Sequence, residues 1–84
     1  MGPLPVPIQV ECYAGFRGEE RPLAFEYEGK RFRIIGIVQR WIEERLEAGR
    51  GRRVWFQVEV HNGDLMTIYY DTVLEMWFWT ASMG

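Results

Sequence analysis

An all-β domain is the fold class that the sequence predicts. The expected form is a meander of five strands, with Ile8–Tyr13 as a sixth, curled into an SH3-like half-barrel or small sandwich. Three observations carry this. Val54-Trp55-Phe56-Gln57-Val58-Glu59-Val60-His61 alternates with a period of two, placing Val54, Phe56, Val58 and Val60 on one side. Glycine-bearing turn signals, Gly29-Lys30 and Asn62-Gly63, separate apolar runs. The β-branched run Ile34-Ile35-Gly36-Ile37-Val38 opposes a helix start just before the one stretch rich in helix formers. Strands joined by short turns usually pair as neighbours, hence a meander. The alternative is an α+β fold with a short helix at 38–48.

In chain order, Met1-Gly2-Pro3-Leu4-Pro5-Val6-Pro7 reads as an extended proline-rich arm, residues 1–7. The β domain is expected over 8–81, with a disordered tail at 82–84. Ile8, Val10 and Cys12 define one face of the first strand. A loop with two glycines and a proline follows, from Ala14 to Pro22. Leu23, Phe25 and Tyr27 form the apolar face of the second strand. A Gly29-Lys30 turn would pair Tyr27 with Phe32, Phe25 with Ile34 and Leu23 with Gly36, matching apolar with apolar or glycine. A bulge at Gly36 would shift parity and bring Ile37, Gln39 and Trp41 to the inner face. The strand is expected to run to about Trp41. A charged loop follows, with room for a helical turn between 42 and 48. Gly49-Arg50-Gly51-Arg52-Arg53 reads as a flexible basic loop.

The next hairpin tests turn type. A two-residue Asn62-Gly63 loop would pair Val58 with Thr67 and mix the faces. A three-residue loop, His61-Asn62-Gly63, pairs Val58 with Met66, Phe56 with Ile68 and Val54 with Tyr70, so the apolar pattern selects it. Asp71-Thr72-Val73-Leu74 forms the next turn, and Met76–Ala81 the last strand. Trp55, Tyr69 and either Trp77 or Trp79 are then expected on the face opposite the core. A small sheet needs only one buried face, so aromatics on the second ask for a covering surface.

Eighty-four residues make one domain, and 48% hydrophobic with 15% aromatic residues is too apolar for disorder. Cys12 is the only cysteine, so no intrachain disulfide forms, which favours a reducing, cytoplasmic setting. Cys12 itself reads as a small buried hydrophobe. The start lacks the basic and apolar regions of a signal peptide. No apolar run approaches the roughly 20 residues of a membrane helix, so no membrane partner is expected. The net charge of −2 is segregated: residues 1–29 carry −3, residues 30–53 carry +5, and residues 54–84 carry −4. Internal pairing of the basic middle with the acidic ends is the plain expectation, a basic patch the sharper one.

Catalytic chemistry is not expected. His61 is the only histidine and lies at a turn, with no cysteine pair or acid cluster to complete a metal site. Ser82 is the only serine and sits in the tail. No cofactor is implied. The one chemistry-bearing pattern is basic plus aromatic. Arg31 and Arg33, joined by Arg40, could hold phosphates beside stacking rings Trp55 and Tyr69, as on small β platforms that bind single strands.

Cys12-Tyr13, Glu20-Arg21-Pro22, Glu28-Gly29-Lys30-Arg31, Arg33 and Arg40-Trp41 together resemble a small bacterial domain family of unknown function. The stretch from Val54-Trp55-Phe56-Gln57-Val58 through Tyr69-Tyr70-Asp71 to Trp77-Phe78 is similar to the C-terminal tail of ImuB-type subunits, inactive relatives of Y-family DNA polymerases. That resemblance implies a tail used for partner contacts in a mutagenic repair complex, with no catalytic residues. The function expected is a non-catalytic protein–protein contact or self-association module. The alternative is weak single-stranded nucleic-acid binding linked to DNA repair. The residues expected to carry either are Trp55, Tyr69, Trp77, Trp79, Arg31, Arg33 and Arg40.

Overall fold

The structure is a computed structural model and describes residues 4–13, 21–44 and 51–81. Six antiparallel strands are present: β1 (Val6–Tyr13), β2 (Arg21–Tyr27), β3 (Lys30–Glu44), β4 (Arg52–Val60), β5 (Leu65–Asp71) and β6 (Met76–Thr80). They pair in sequence order, and β6 returns to β1, closing a small barrel. The all-β meander is therefore present with all six strands, and closure goes beyond the expected half-barrel. Closure leaves fewer strand edges open to solvent.

The core forms where alternation is cleanest. Phe25, Phe32, Phe56, Val58, Val60 and Ile68 make one buried cluster, packed around by Ile8, Val10, Tyr27, Ile34, Val54, Met66, Trp77 and Trp79. The hairpin of β4 and β5 has the register that the apolar pattern selects: Val58 faces Met66, Phe56 faces Ile68 and Val54 faces Tyr70. Gly63 closes its three-residue loop at φ +93°, donating its N–H to the Val60 carbonyl at 2.8 Å. Only glycine takes that conformation without steric cost.

Several expectations are corrected. The β2–β3 turn is Glu28-Gly29, not Gly29-Lys30, because Tyr27 pairs with Lys30 and Phe25 with Phe32. Both turn residues have positive φ, 53° and 76°, the geometry that suits a two-residue hairpin to twisted strands. Leu23 is exposed rather than in the core. Cys12 faces Pro22 and Glu11 faces Ala24, so Leu23 is an extra, bulged residue. Strand β1 starts at Val6, so Val6 and Pro7 of the expected arm pair with Trp79 and Phe78.

Strand β3 holds the largest differences. It continues through Glu44, so 38–44 is strand rather than helix or loop, while 45–48 lies outside the described residues. The bulge near Gly36 is present, with Ile35 as the extra residue between the Ile34–Val60 and Gly36–Glu59 pairs. A second bulge at Val38 reverses the parity again. Ile37 thus faces core residue Val58 as expected, but Gln39 faces Gln57 and Trp41 faces Trp55 on the outside. Arg52 and Arg53 belong to β4 rather than to a flexible loop. Gly51 is buried where a Cβ would meet the Val73 side chain at 2.1 Å, so the β5–β6 turn packs against the start of β4. That turn spans 72–75, one residue later than expected, and Asp71 closes β5.

Candidate interaction surface

Strands β3 and β4 leave the barrel together. Beyond the second bulge, Gln39–Glu44 pairs with Arg52–Gln57 as a two-stranded wing, and every β3 residue in it is exposed. Two features of the surface at this wing are candidates for contact.

The first is an aromatic row on the outer face. Trp41 pairs with Trp55, Trp55 with Tyr69, and Tyr69 with Phe78, so four neighbouring strands each contribute one ring. Successive centroids are 5.7, 4.4 and 5.1 Å apart, within the range of favourable ring contacts. Trp41 lies parallel to Trp55 within 3°. The Trp55 indole N–H donates to Glu43 Oε1 at 3.0 Å and fixes that ring. The Arg53 guanidinium lies 5.0 Å from the Tyr69 centroid, with Asp71 Oδ2 at 3.7 Å and Glu43 Oε1 at 3.9 Å. These neighbours leave Tyr69 only 3% exposed, whereas Trp41 at the open end is 39% exposed. The second face therefore covers most of itself, and its accessible end is the β3 side.

Asp71 anchors the other end of this arrangement. Its Oδ1 accepts the main-chain N–H groups of Val73 and Leu74 at 2.9 and 3.0 Å. Burial pushes its carboxyl up. The Leu74 and Val73 bonds and nearby Arg53 outweigh burial and hold it below the ordinary carboxylate range. Arg31 similarly bonds Glu11, which lowers the Glu11 carboxyl. Basic residues of the middle segment thus pair with acids of both flanking segments, as the charge pattern suggests.

The expected site residues divide. Trp55 and Tyr69 share the outer row. Trp77 and Trp79 do not join them: both pack on the core side, Trp77 against Phe56 and Tyr70, and Trp79 stacked on Tyr27 at 4.0 Å. The cause is the even-length β5–β6 turn, which sets Trp77 opposite Tyr70 and Phe78 opposite Tyr69. Phe78 and Trp41 are the row members that sequence reasoning missed. Counting the turn would have found Phe78. Nothing in the sequence marks the Val38 bulge that places Trp41. The basic residues do not form one face either. Arg31 and Arg33 lie where β3 pairs with β2; Arg33 gives its main-chain N–H to His61 Nδ1 at 3.2 Å. Arg40 lies past both bulges on the core-side face, its guanidinium 5.8 Å from the Phe56 centroid.

The second feature is a free main-chain edge. The Val60 N–H donates to the Asp64 carbonyl at 3.0 Å, and the Arg52 carbonyl accepts from Thr72 N at 3.0 Å, so both residues point their backbone at β5. Antiparallel strands turn alternate residues toward alternate neighbours. Arg53, Trp55 and Gln57 therefore bond β3, through Glu43, Trp41 and Gln39. The intervening Arg40, Ile42 and Glu44 turn their N–H and C=O groups away from β4. Strand β2 pairs only with Lys30–Arg33, so no strand covers that edge among the described residues. Ile35, Ile37, Val38, Trp41 and Ile42 are the exposed apolar side chains of this part of β3.

Among the described residues no group of three or more His, Cys, Asp or Glu side chains is placed to hold a metal ion. No helix among them is long and apolar enough to cross a membrane. Comparison with family models, with curated proteins and with solved structures returns no match, so the features of the wing itself bear the functional argument.

Proposed function

We propose that this domain is a non-catalytic contact module that binds another polypeptide along the β3 edge. The observation that supports this is the outward-turned backbone of Arg40, Ile42 and Glu44 beside exposed Val38, Trp41 and Ile42. An incoming strand would complete the main-chain bonds, and the apolar side chains would provide burial and register. The similarity to ImuB-type tails accords with a contact role, and the single half-buried Cys12 accords with a cytoplasmic setting.

Ile42→Pro tests the reading directly. Proline there removes an outward N–H and leaves the β4 ladder bonds intact, so the barrel should survive. Partner capture should fall to background while near-UV circular dichroism stays that of the parent. Undiminished capture by a folded Ile42→Pro variant would exclude the edge.

Single-stranded nucleic acid is the second reading, favoured by the aromatic row and its exposed Trp41 end, although Arg40 lies on the opposite face of the wing. Weighing against it, Tyr69 has no open face for a base, and Arg31 and Arg53 already pair with carboxylates. Labelled oligonucleotides at low salt would decide: binding that weakens steeply with salt supports this reading.

A further inference from the structure

The contact reading leaves open whose strand completes the edge. The edge is complementary to itself. Its outward-turned residues run Arg40, Ile42, Glu44, with a cation at one end, an anion at the other and an isoleucine between. We infer that a second copy of this chain pairs here, β3 against β3, antiparallel about a two-fold axis at Ile42. This inference rests on the contact reading and names its partner.

Three constraints select that register. A two-fold axis perpendicular to the sheet keeps each side chain on its own face, so only residues of like parity become partners. The outward-turned residues must meet outward-turned residues to form the close pairs of an antiparallel ladder. Unlike charges must meet. With Ile42 opposite its own copy, Arg40 lies opposite Glu44 twice, and about six main-chain hydrogen bonds form. Sliding the axis to Trp41 pairs Arg40 with Ile42 and sets Glu44 against the bulged Val38, losing both charge pairs. Sliding it to Glu43 opposes two like charges. In the favoured register Glu44 is flanked by Arg52 of its own chain and by Arg40 of the second copy, alternating in sign across the joint. The two Trp41 rings approach diagonally, so each aromatic row ends beside the other.

The test exploits the symmetry. Arg40→Glu carries two acids on the edge and Glu44→Arg carries two cations, so each alone should repel its own copy. Sedimentation equilibrium should show the parent dimerising, and each single variant weakened by roughly tenfold or more. Mixing the two variants should restore association. The acid introduced at position 40 of one chain then meets the cation introduced at position 44 of the other, and the unchanged Glu44 and Arg40 meet as in the parent. Far- and near-UV circular dichroism confirms that each variant is folded. A parent that stays monomeric at several hundred micromolar, or a mixture no tighter than its components, overturns the inference. A monomer whose capture of another protein is still lost in Ile42→Pro removes only the second copy and leaves the contact reading in place. If Ile42→Pro changes no contact at all, both fail together.

Discussion

Strands β3 and β4 live in two environments. Near the barrel, Ile34 and Ile37 face Val60 and Val58, and although Ile37 is itself 36% exposed, both valines are fully buried. Further along the strand, Ile42 is 45% exposed and its partner Val54 is only half-buried. The hydrophobic side chains are of the same kind in both places. What differs is enclosure: β1, β2, β5 and β6 wrap the first region, and nothing described wraps the outer side of the second. The bulge at Val38 separates the two, since bulges bend and twist a strand away from its sheet. Burial in the barrel is what holds the fold, while exposure on the wing is what is available to a partner.

The sharpest way to break that contrast is to cut a large apolar side chain from each region. Phe25 is 1% exposed and stacks on Phe32 at 5.4 Å. Phe25→Ala should destabilise by about 3–5 kcal/mol, the usual cost of emptying a packed aromatic site. Ile42→Ala removes a large apolar side chain from the wing and should cost under about 1 kcal/mol, since little burial is lost. Urea unfolding of the two variants measures the difference. Equal losses would mean that the wing is as integral as the core.

Asp71 sits between the regions, tying the β5–β6 turn and, through Arg53, the row. Asp71→Ala should cost about 1–3 kcal/mol, because it strands two main-chain donors. Its folded carboxyl is held below the ordinary range, so its contribution is present above the unfolded pKa and is lost as pH falls through the folded one. Acid titration of stability should therefore show a fall at the low end of the carboxylate range that flattens in Asp71→Asn. Asparagine keeps an acceptor for Val73 and Leu74 but loses the charge opposite Arg53. An unchanged acid profile in Asp71→Asn would assign the fall to other acids, Glu11 with its Arg31 partner first.

The same contrast explains what was legible in the sequence. The β4–β5 hairpin could be read to the residue because only one loop length keeps Val58, Phe56 and Val54 opposite apolar partners. The β2–β3 hairpin could not. Pairing Phe25 with Ile34 or with Phe32 satisfies the pattern equally, and choosing between them depends on Glu28 accepting positive φ, which its residue type does not advertise. Trp77 and Trp79 were exchangeable with Phe78 until the turn length fixed their parity. The wing was hidden for a different reason. Glu43-Glu44-Arg45-Leu46 has good helix propensity, and propensity yields to pairing with β4, which no local signal reveals. Of the candidate site, Trp55 and Tyr69 were visible because they lie on regular strands, while Trp41 depended on a bulge without a glycine.

The smallest expected effect concerns Trp41 itself. Its ring lies parallel to Trp55 at 5.7 Å but keeps over a third of its surface in water. Trp55 does not depend on it for position, since Glu43 accepts its indole N–H and Tyr69 packs on its other side. Trp41→Ala should therefore cost only about 0.5–1.5 kcal/mol, the range for an aromatic pair at a partly exposed site. It should also change the near-UV dichroism that two stacked indoles produce. The main-chain edge is untouched by the substitution, because Arg40, Ile42 and Glu44 still turn outward. Association through β3 should then weaken in proportion to the lost ring contact and survive, whereas Ile42→Pro abolishes it. If Trp41→Ala abolishes association as completely as Ile42→Pro, the ring rather than the backbone is the binding element, and the wing acts through its aromatic face instead of its edge.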